Sequence, residues 1–237
     1  MSASEITTQR FPDSQALAAA LAARVAADLR HAIAARGRAV LAVSGGSTPK
    51  HFFEQLSRAE LDWSAVSVTL VDERWAPESS ERSNARLVKA ALLTNQAAAA
   101  RFVPLYQPEA ATPEAGLVAL RTRLGELPPR FDAVILGMGN DGHTASFFPG
   151  ADRLSEALDL NGNARVLPIN AAGAGEPRIT FTLPALLDTA ALYLHIEGDA
   201  KREVLDAAQL GQDAAADYPI RAVLTQTRVP LTVYWCP

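Results

Sequence analysis

Apolar positions along this chain follow two alternating rhythms. The first is helical: Leu17, Leu21, Val25, Leu29 and Ile33 recur every four residues, with Asp13 placed to cap the stripe and Gly37 to end it. The second is the short, mostly apolar run, seen at Ala39 to Val43, Val66 to Val71, Ala133 to Leu136, Leu192 to Ile196 and Leu231 to Trp235. Runs this short, bounded by turn residues, predict buried strands. Helical segments separate them. Thr48-Pro49 opens one with proline at its first position, Ser83 or Asn84 caps one carrying Leu87, Val88, Leu92 and Leu93, and Thr112-Pro113 starts one carrying Leu117, Leu120 and Leu124 that Pro128-Pro129 stops. Asp199 is expected to cap a helix with Val204 and Leu205. Arg101 to Leu105 and Arg165 to Ile169 read as weaker strands, and Ala171 to Pro177 as a mobile loop. Strands alternating with helices predict an α/β protein with a doubly wound, mostly parallel sheet and helices on both faces. No linker-like stretch divides it, so residues 1–237 are read as a single domain.

Composition narrows the class. Hydrophobic residues make up 49% and charged residues 20% of the chain, a globular balance with a sizeable core. The net charge of −4 argues against a nucleic-acid partner. It leaves room for a phosphorylated small molecule, because local cations decide that. The single cysteine, Cys236, excludes an internal disulfide and a CxxC metal site. No apolar run reaches the roughly 20 residues needed to span a bilayer. The first residues carry no basic-then-apolar leader pattern, so a cytoplasmic location is expected, with no membrane partner and a monomer or weak homo-oligomer.

Candidate chemistry clusters where strands end. The run Ala133 to Leu136 passes into Gly137-Met-Gly-Asn-Asp-Gly-His143, a glycine-rich turn ending in a histidine with an aspartate two residues before it. Open α/β sheets place ligands at such ends. His143 suits a general base, since imidazole alone has an unperturbed pKa near neutrality. Asp141 can fix its tautomer. His31, His51 and His195 are read as structural; His195 sits between Leu194 and Ile196 in a strand pattern. Ser44-Gly45-Gly46-Ser47-Thr48 lies between a strand and a helix, where backbone N–H groups can hold an anion or simply turn the chain. Asp72, Glu73 and Arg74 follow a strand and can orient water or a histidine, or simply form a surface ion pair. Lys201 and Arg202 fall in a helix's first turn, where a cation is unfavourable by about 0.3–1 kcal/mol unless an anion docks there. No GxSxG elbow, HExxH or other metal-ligand spacing occurs, so the chemistry is expected to be water-mediated, without a metal or cofactor.

Taken together, Leu41 to Lys50, Val71-Asp-Glu-Arg-Trp75 with Ser83-Asn84, Leu136 to Pro149, Pro177-Arg178-Ile-Thr180 and Gly198-Asp-Ala-Lys201 resemble the 6-phosphogluconolactonases. These belong to a superfamily shared with the glucosamine-6-phosphate deaminases. The resemblance runs from about residue 10 to the end of the chain. It implies a Rossmann-like fold and hydrolysis of 6-phospho-D-glucono-1,5-lactone, with no cofactor. By the same resemblance His143 is the base, with Asp141 and Asp72 as further catalytic candidates. Ser44, Gly45, Gly46, Ser47, Thr48, Arg178 and Lys201 become phosphate candidates. Arg74, Asn84, Gly139 and Asn140 complete the substrate contacts, with Arg74 or the Gly139–Gly142 N–H groups opposite the oxyanion. The deaminase pattern has a glutamate immediately before the proline; here Phe148 stands there, which favours the lactonase. A non-catalytic sugar-phosphate sensor on the same fold is the remaining alternative.

Overall fold

A computed structural model describes residues 5–237. In chain order the strands are β1 (Ile6–Arg10), β2 (Ala39–Val43), β3 (Val66–Leu70), β4 (Asp72–Arg74), β5 (Arg101–Val103), β6 (Ala133–Leu136), β7 (Val166–Ile169), β8 (Arg178–Phe181), β9 (Leu192–Glu197) and β10 (Leu231–Cys236). The helices are α1 (Ser14–Arg36), α2 (Lys50–Leu56), α3 (Asn84–Ala91), α4 (Pro113–Gly125), α5 (Leu154–Leu158), α6 (Leu183–Leu187), α7 (Asp199–Leu210) and α8 (Ile220–Thr225).

Seven strands form one parallel sheet in the order β1-β10-β9-β6-β2-β3-β5. From β2 the chain steps outward to β3 and β5. It then returns to lay β6 on the other side of β2 before moving on to β9 and β10. The direction of winding therefore reverses between β2 and β6, and the carboxyl ends of those two strands diverge around a crevice. Both strands are buried at every position, so layers cover the sheet on each face.

The helical stripe behaves as its spacing predicts. Leu17, Leu21, Val25 and Leu29 are fully buried, and α1 packs with α2 against the sheet. The Asp13 side chain accepts the Ala16 N–H at 2.8 Å, and Gly37 ends the helix at φ +71°, a conformation that glycine reaches without steric cost. No helix among the described residues is long and apolar enough to cross a membrane.

Several expectations shift. Asp72–Arg74, placed just past the end of a strand, is itself an antiparallel strand in a second sheet of order β4-β8-β7. Val71 is the joint between the sheets. Its N–H donates to Val43 at 2.9 Å, and its carbonyl accepts from Phe181 at 2.9 Å. Pro49 precedes α2 as its cap residue instead of opening it. The cap of α7 is Gly198, at φ +92°, and Asp199 is the first helical residue, where its charge suits the helix dipole. Leu92 and Leu93 lie beyond the end of α3. β1, β8, α5, α6 and α8 carried no pattern that singled them out.

Asp13→Ala should lower unfolding free energy by about 0.5–2 kcal/mol through loss of the cap. Urea denaturation of the two proteins checks this. An unchanged midpoint would mean that α1 is held by its packing alone.

Candidate active site

The loops after β2 and β6, together with β4, β8 and the start of α7, enclose a cleft of about 190 Å³ at the switch point. Its walls include the Ser44–Thr48 loop, Asp72, Arg74, Asn84, His143, Arg178 and Lys201. Most of the sequence candidates thus meet in one place, although β4, β6, β8 and α7 deliver them from distant parts of the chain.

The loop after β6 holds the imidazole. Gly139 and Gly142 close a turn in which the Gly139 N–H donates to His143 at 2.9 Å and the Gly142 N–H to Gly139 at 3.0 Å. A Cβ on Gly139 would stand 2.2 Å from His143 Cε1, so only glycine lets the ring lie against the turn. His143 Nδ1 and Asp141 Oδ1 are 2.5 Å apart, and the His143 N–H also reaches that oxygen at 3.2 Å. Partial burial pushes the Asp141 carboxyl up, but the hydrogen bond and charge of His143 outweigh it and hold the carboxyl below the usual range. A carboxylate at Nδ1 fixes the proton there and leaves Nε2 with its lone pair.

Phe148 forms the shelf beneath. Its ring stacks on His143 at 4.2 Å with 24° between planes, and the Arg178 guanidinium lies 5.1 Å from its centre. The aromatic side chain where the deaminase pattern has a carboxylate therefore touches both the imidazole and an arginine. Ala145, in the same loop, has φ +48°, a left-handed conformation that costs a non-glycine residue about 1–3 kcal/mol.

The cations converge from two sides. Arg74 and Arg178 are direct cross-strand partners. Like charges so placed repel, and nearby acceptors temper the repulsion. Arg178 lies 3.6 Å from Asp72 and donates to the Ala174 carbonyl at 2.9 Å; Arg74 donates to Asn84 Oδ1 at 2.8 Å and to the Arg82 carbonyl at 2.7 Å. Burial lowers the Arg178 pKa. The Nε atoms of Arg74 and Arg178 are buried and have no partner among the described residues. Across the cleft, Lys201 Nζ donates to Thr48 Oγ1 at 3.0 Å, and burial lowers its pKa. The N–H groups of Gly45, Gly46, Ser47 and Thr48 make no hydrogen bond within the described protein. Unpaired N–H groups beside a cation are the kind of arrangement that can receive an anion.

Other candidates have structural work. Ser44 Oγ donates to the Ile135 carbonyl and accepts the Gly137 N–H, both at 3.0 Å. Asp72 Oδ2 accepts from Ser146 at 2.6 Å. Asn84 Nδ2 donates to the Asp72 carbonyl at 3.0 Å, and Gly45 has no side chain because a Cβ would fall 1.9 Å from Asn84 Oδ1. Asn140 and Asp141 are exposed and do not line the cleft; Asp141 acts on it only through His143. Sequence reasoning gave two residues other roles, His195 a structural one and Glu73 that of orienting water or joining a surface ion pair. His195 is buried in β9 yet forms part of the cleft wall. Glu73 is fully buried and accepts the N–H groups of Arg74, Asn84 and Ala85 at 2.8 Å each, which fastens α3 to β4. The spacing of Glu73 from the Ser83 cap was the available signal.

The family description "Glucosamine-6-phosphate isomerases/6-phosphogluconolactonase" matches residues 12–235. This chain belongs to that family. A Rhizobium meliloti protein named 6-phosphogluconolactonase is 56% identical, over 96% of this chain and 97% of its own. A Mesorhizobium japonicum protein of the same name is 53% identical, over 96% and 94%. The crystal structure of a 6-phosphogluconolactonase from Shewanella baltica superimposes with a TM-score of 0.93 at 41% identity, covering 98% of each chain.

Burial pushes the Glu73 carboxyl up, against the pull of its three N–H donors. A raised folded pKa means that Glu73 favours folding most below its unfolded value, about 4.3. That contribution falls as pH rises through the folded value and is constant above it. Glu73→Gln puts amide hydrogens against N–H donors and should cost about 1–3 kcal/mol. Denaturant unfolding from about pH 4 to about pH 7 should show the stability advantage of the unaltered protein shrinking as pH rises. A widening advantage would contradict the raised pKa.

Proposed function

We propose that this chain hydrolyses 6-phosphogluconolactone to 6-phosphogluconate, the second step of the oxidative pentose phosphate pathway, with His143 as general base. The observation that carries the reading is the Asp141-fixed imidazole in a cleft whose far wall is Lys201 and the Ser44–Thr48 loop. The near-full-length likeness to proteins named 6-phosphogluconolactonase supports the substrate.

In this mechanism the phosphate rests against Lys201 and the free N–H groups of the Ser44–Thr48 loop. Binding energy at that remote group positions the lactone carbonyl. His143 Nε2 takes a proton from water as its oxygen attacks C1. The Gly139, Gly142 and His143 N–H groups are engaged inside the turn. We assign the developing oxyanion to Arg74, whose charge is preorganised by Asn84 and the Arg82 carbonyl. The protonated imidazole, steadied by Asp141, then returns its proton to the ring oxygen as the C1–O bond breaks. Phe148 disfavours the deaminase alternative, since no carboxylate stands in its place. The reading takes residues 1–237 as one domain, because the large sheet draws strands from both ends of the chain. It also places the reaction in the cytoplasm, where a charged sugar phosphate is retained.

His143→Ala should lower kcat by about 10²–10⁴-fold while 6-phosphogluconate still binds. The measurement is lactone disappearance corrected for spontaneous hydrolysis, alongside calorimetric binding of product. Near-normal turnover would remove His143 from the base role.

Lys201→Ala should reduce kcat/KM for the phosphorylated lactone by roughly 10- to 150-fold, the equivalent of a charge-assisted hydrogen bond of about 1.5–3 kcal/mol. Unphosphorylated gluconolactone should be nearly unaffected. Equal losses on both substrates would show that Lys201 does not meet the phosphate.

A further inference from the structure

His195 lies on β9 with 2% of its surface exposed, and it contributes to the wall of the cleft that Ser47, Thr48 and Lys201 also line. Its two ring nitrogens have opposite circumstances. Nε2 is 2.8 Å from Glu197 Oε1. Nδ1 is buried and has no hydrogen-bond partner among the described residues. The Phe52 ring meets the imidazole edge-on, with centroids 6.2 Å apart, and limits its rotation.

Both oxygens of the carboxylate behind it are engaged. Glu197 Oε2 accepts from Ser14 Oγ at 2.6 Å, so its oxygens are divided between Ser14 at the start of α1 and His195. The His195 hydrogen bond is the largest influence on Glu197 and, with Ser14 and the charge of His51, keeps its carboxyl below the usual range against the effect of burial. Glu197 on its own strand meets the ring directly, Tyr234 on β10 is its cross-strand partner, and His51 on α2, Lys201 on α7 and Cys236 on β10 act electrostatically on Glu197. A carboxylate facing Nε2 requires the hydrogen there. Neutral His195 therefore keeps an unshared pair on Nδ1, in a buried place where an unmade hydrogen bond is costly.

We propose that His195 is a substrate-binding residue that becomes cationic when the phosphate end of the ligand enters the cleft. One proton from solvent adds to Nδ1, and the resulting imidazolium bridges Glu197 on one side and a phosphate oxygen on the other. The neutral ring spares the empty cleft a further uncompensated charge beside Lys201. The phosphate dianion reverses that balance, and Glu197 holds the ring ready for it. This inference rests on the ligand being a phosphate monoester, as the lactonase reading requires.

Two experiments on the full chain test it. In the first, the pH titration of the His195 ring is followed by NMR with no ligand, with inorganic phosphate and with 6-phosphogluconate, the signals being assigned through His195→Gln. The His195 pKa should rise by about one unit or more with either ligand, as expected for an opposite charge within hydrogen-bond reach. An unchanged pKa overturns the proposal. In the second, His195→Gln should raise KM for the phosphorylated lactone by about 10-fold or more. Its kcat, and its kcat/KM for unphosphorylated gluconolactone, should change less than about twofold. The excess in KM should fade as pH rises and the imidazolium is lost. Equal effects on both lactones, or a pH-independent excess, would make His195 a packing residue while leaving the lactonase reading intact. Absence of lactonase activity in the unaltered protein would defeat that reading alone, because the response to inorganic phosphate would still decide the role of His195.

Discussion

The Ser44 hydroxyl spans the point where the winding of the sheet reverses, and the site depends on that bridge. It donates to the Ile135 carbonyl and accepts the Gly137 N–H. Two loops that would otherwise diverge from β2 and β6 are thus tied at their roots. One carries the free N–H groups that face Lys201; the other carries Asp141 and His143. The serine is 9% exposed, so each partner it satisfies would otherwise be a buried polar group with no hydrogen bond. Gly45 continues the same constraint by letting the backbone press against Asn84, which in turn holds Arg74. The distance between the proposed base and the anion cradle is thereby set by packing at the switch point.

Charge is organised against the overall balance. A chain of net charge −4 gathers Arg74, Arg178 and Lys201 around one cleft. Burial lowers the pKa of both Arg178 and Lys201, so each is held where its charge is poorly solvated. Such an arrangement is costly when empty and favourable with a dianion present. Asp72 and Asn84 offset part of the repulsion without filling the cleft. The second sheet makes this possible. By pairing β4 with β8 it sets Arg74 opposite Arg178, and Phe148 then couples Arg178 to His143 through a single aromatic surface.

Local signals were legible in the chain and distant ones were not. Asp141 and His143 are two residues apart in a turn that glycine makes possible, so their pairing could be read directly. The same holds for the cap at Asp13 and for the buried runs that became β2 and β6. The small sheet could not be read, because Asp72–Arg74 meets Arg178–Thr180 across a long stretch of chain, and three polar residues show no strand pattern. Glu73 looked like half of a surface ion pair, since nothing in sequence shows that its oxygens take N–H groups from the start of α3. His195 was masked by regular alternation. A strand residue under the core and one under a cleft have the same pattern, and only the three-dimensional wall separates them. Asn140 misled in the opposite direction: it adjoins the site in sequence but is exposed and does not line the cleft.

A structure of the complex with 6-phosphogluconate tests the central claim most directly, because the ligand's two charged ends distinguish the walls of the cleft. The account predicts the phosphorus beside Lys201 Nζ and the Ser44–Thr48 N–H groups, with the C1 carboxylate within hydrogen-bond reach of His143 Nε2, about 2.6–3.2 Å. The reverse orientation, with the phosphate against His143 and the carboxylate at Lys201, would contradict it.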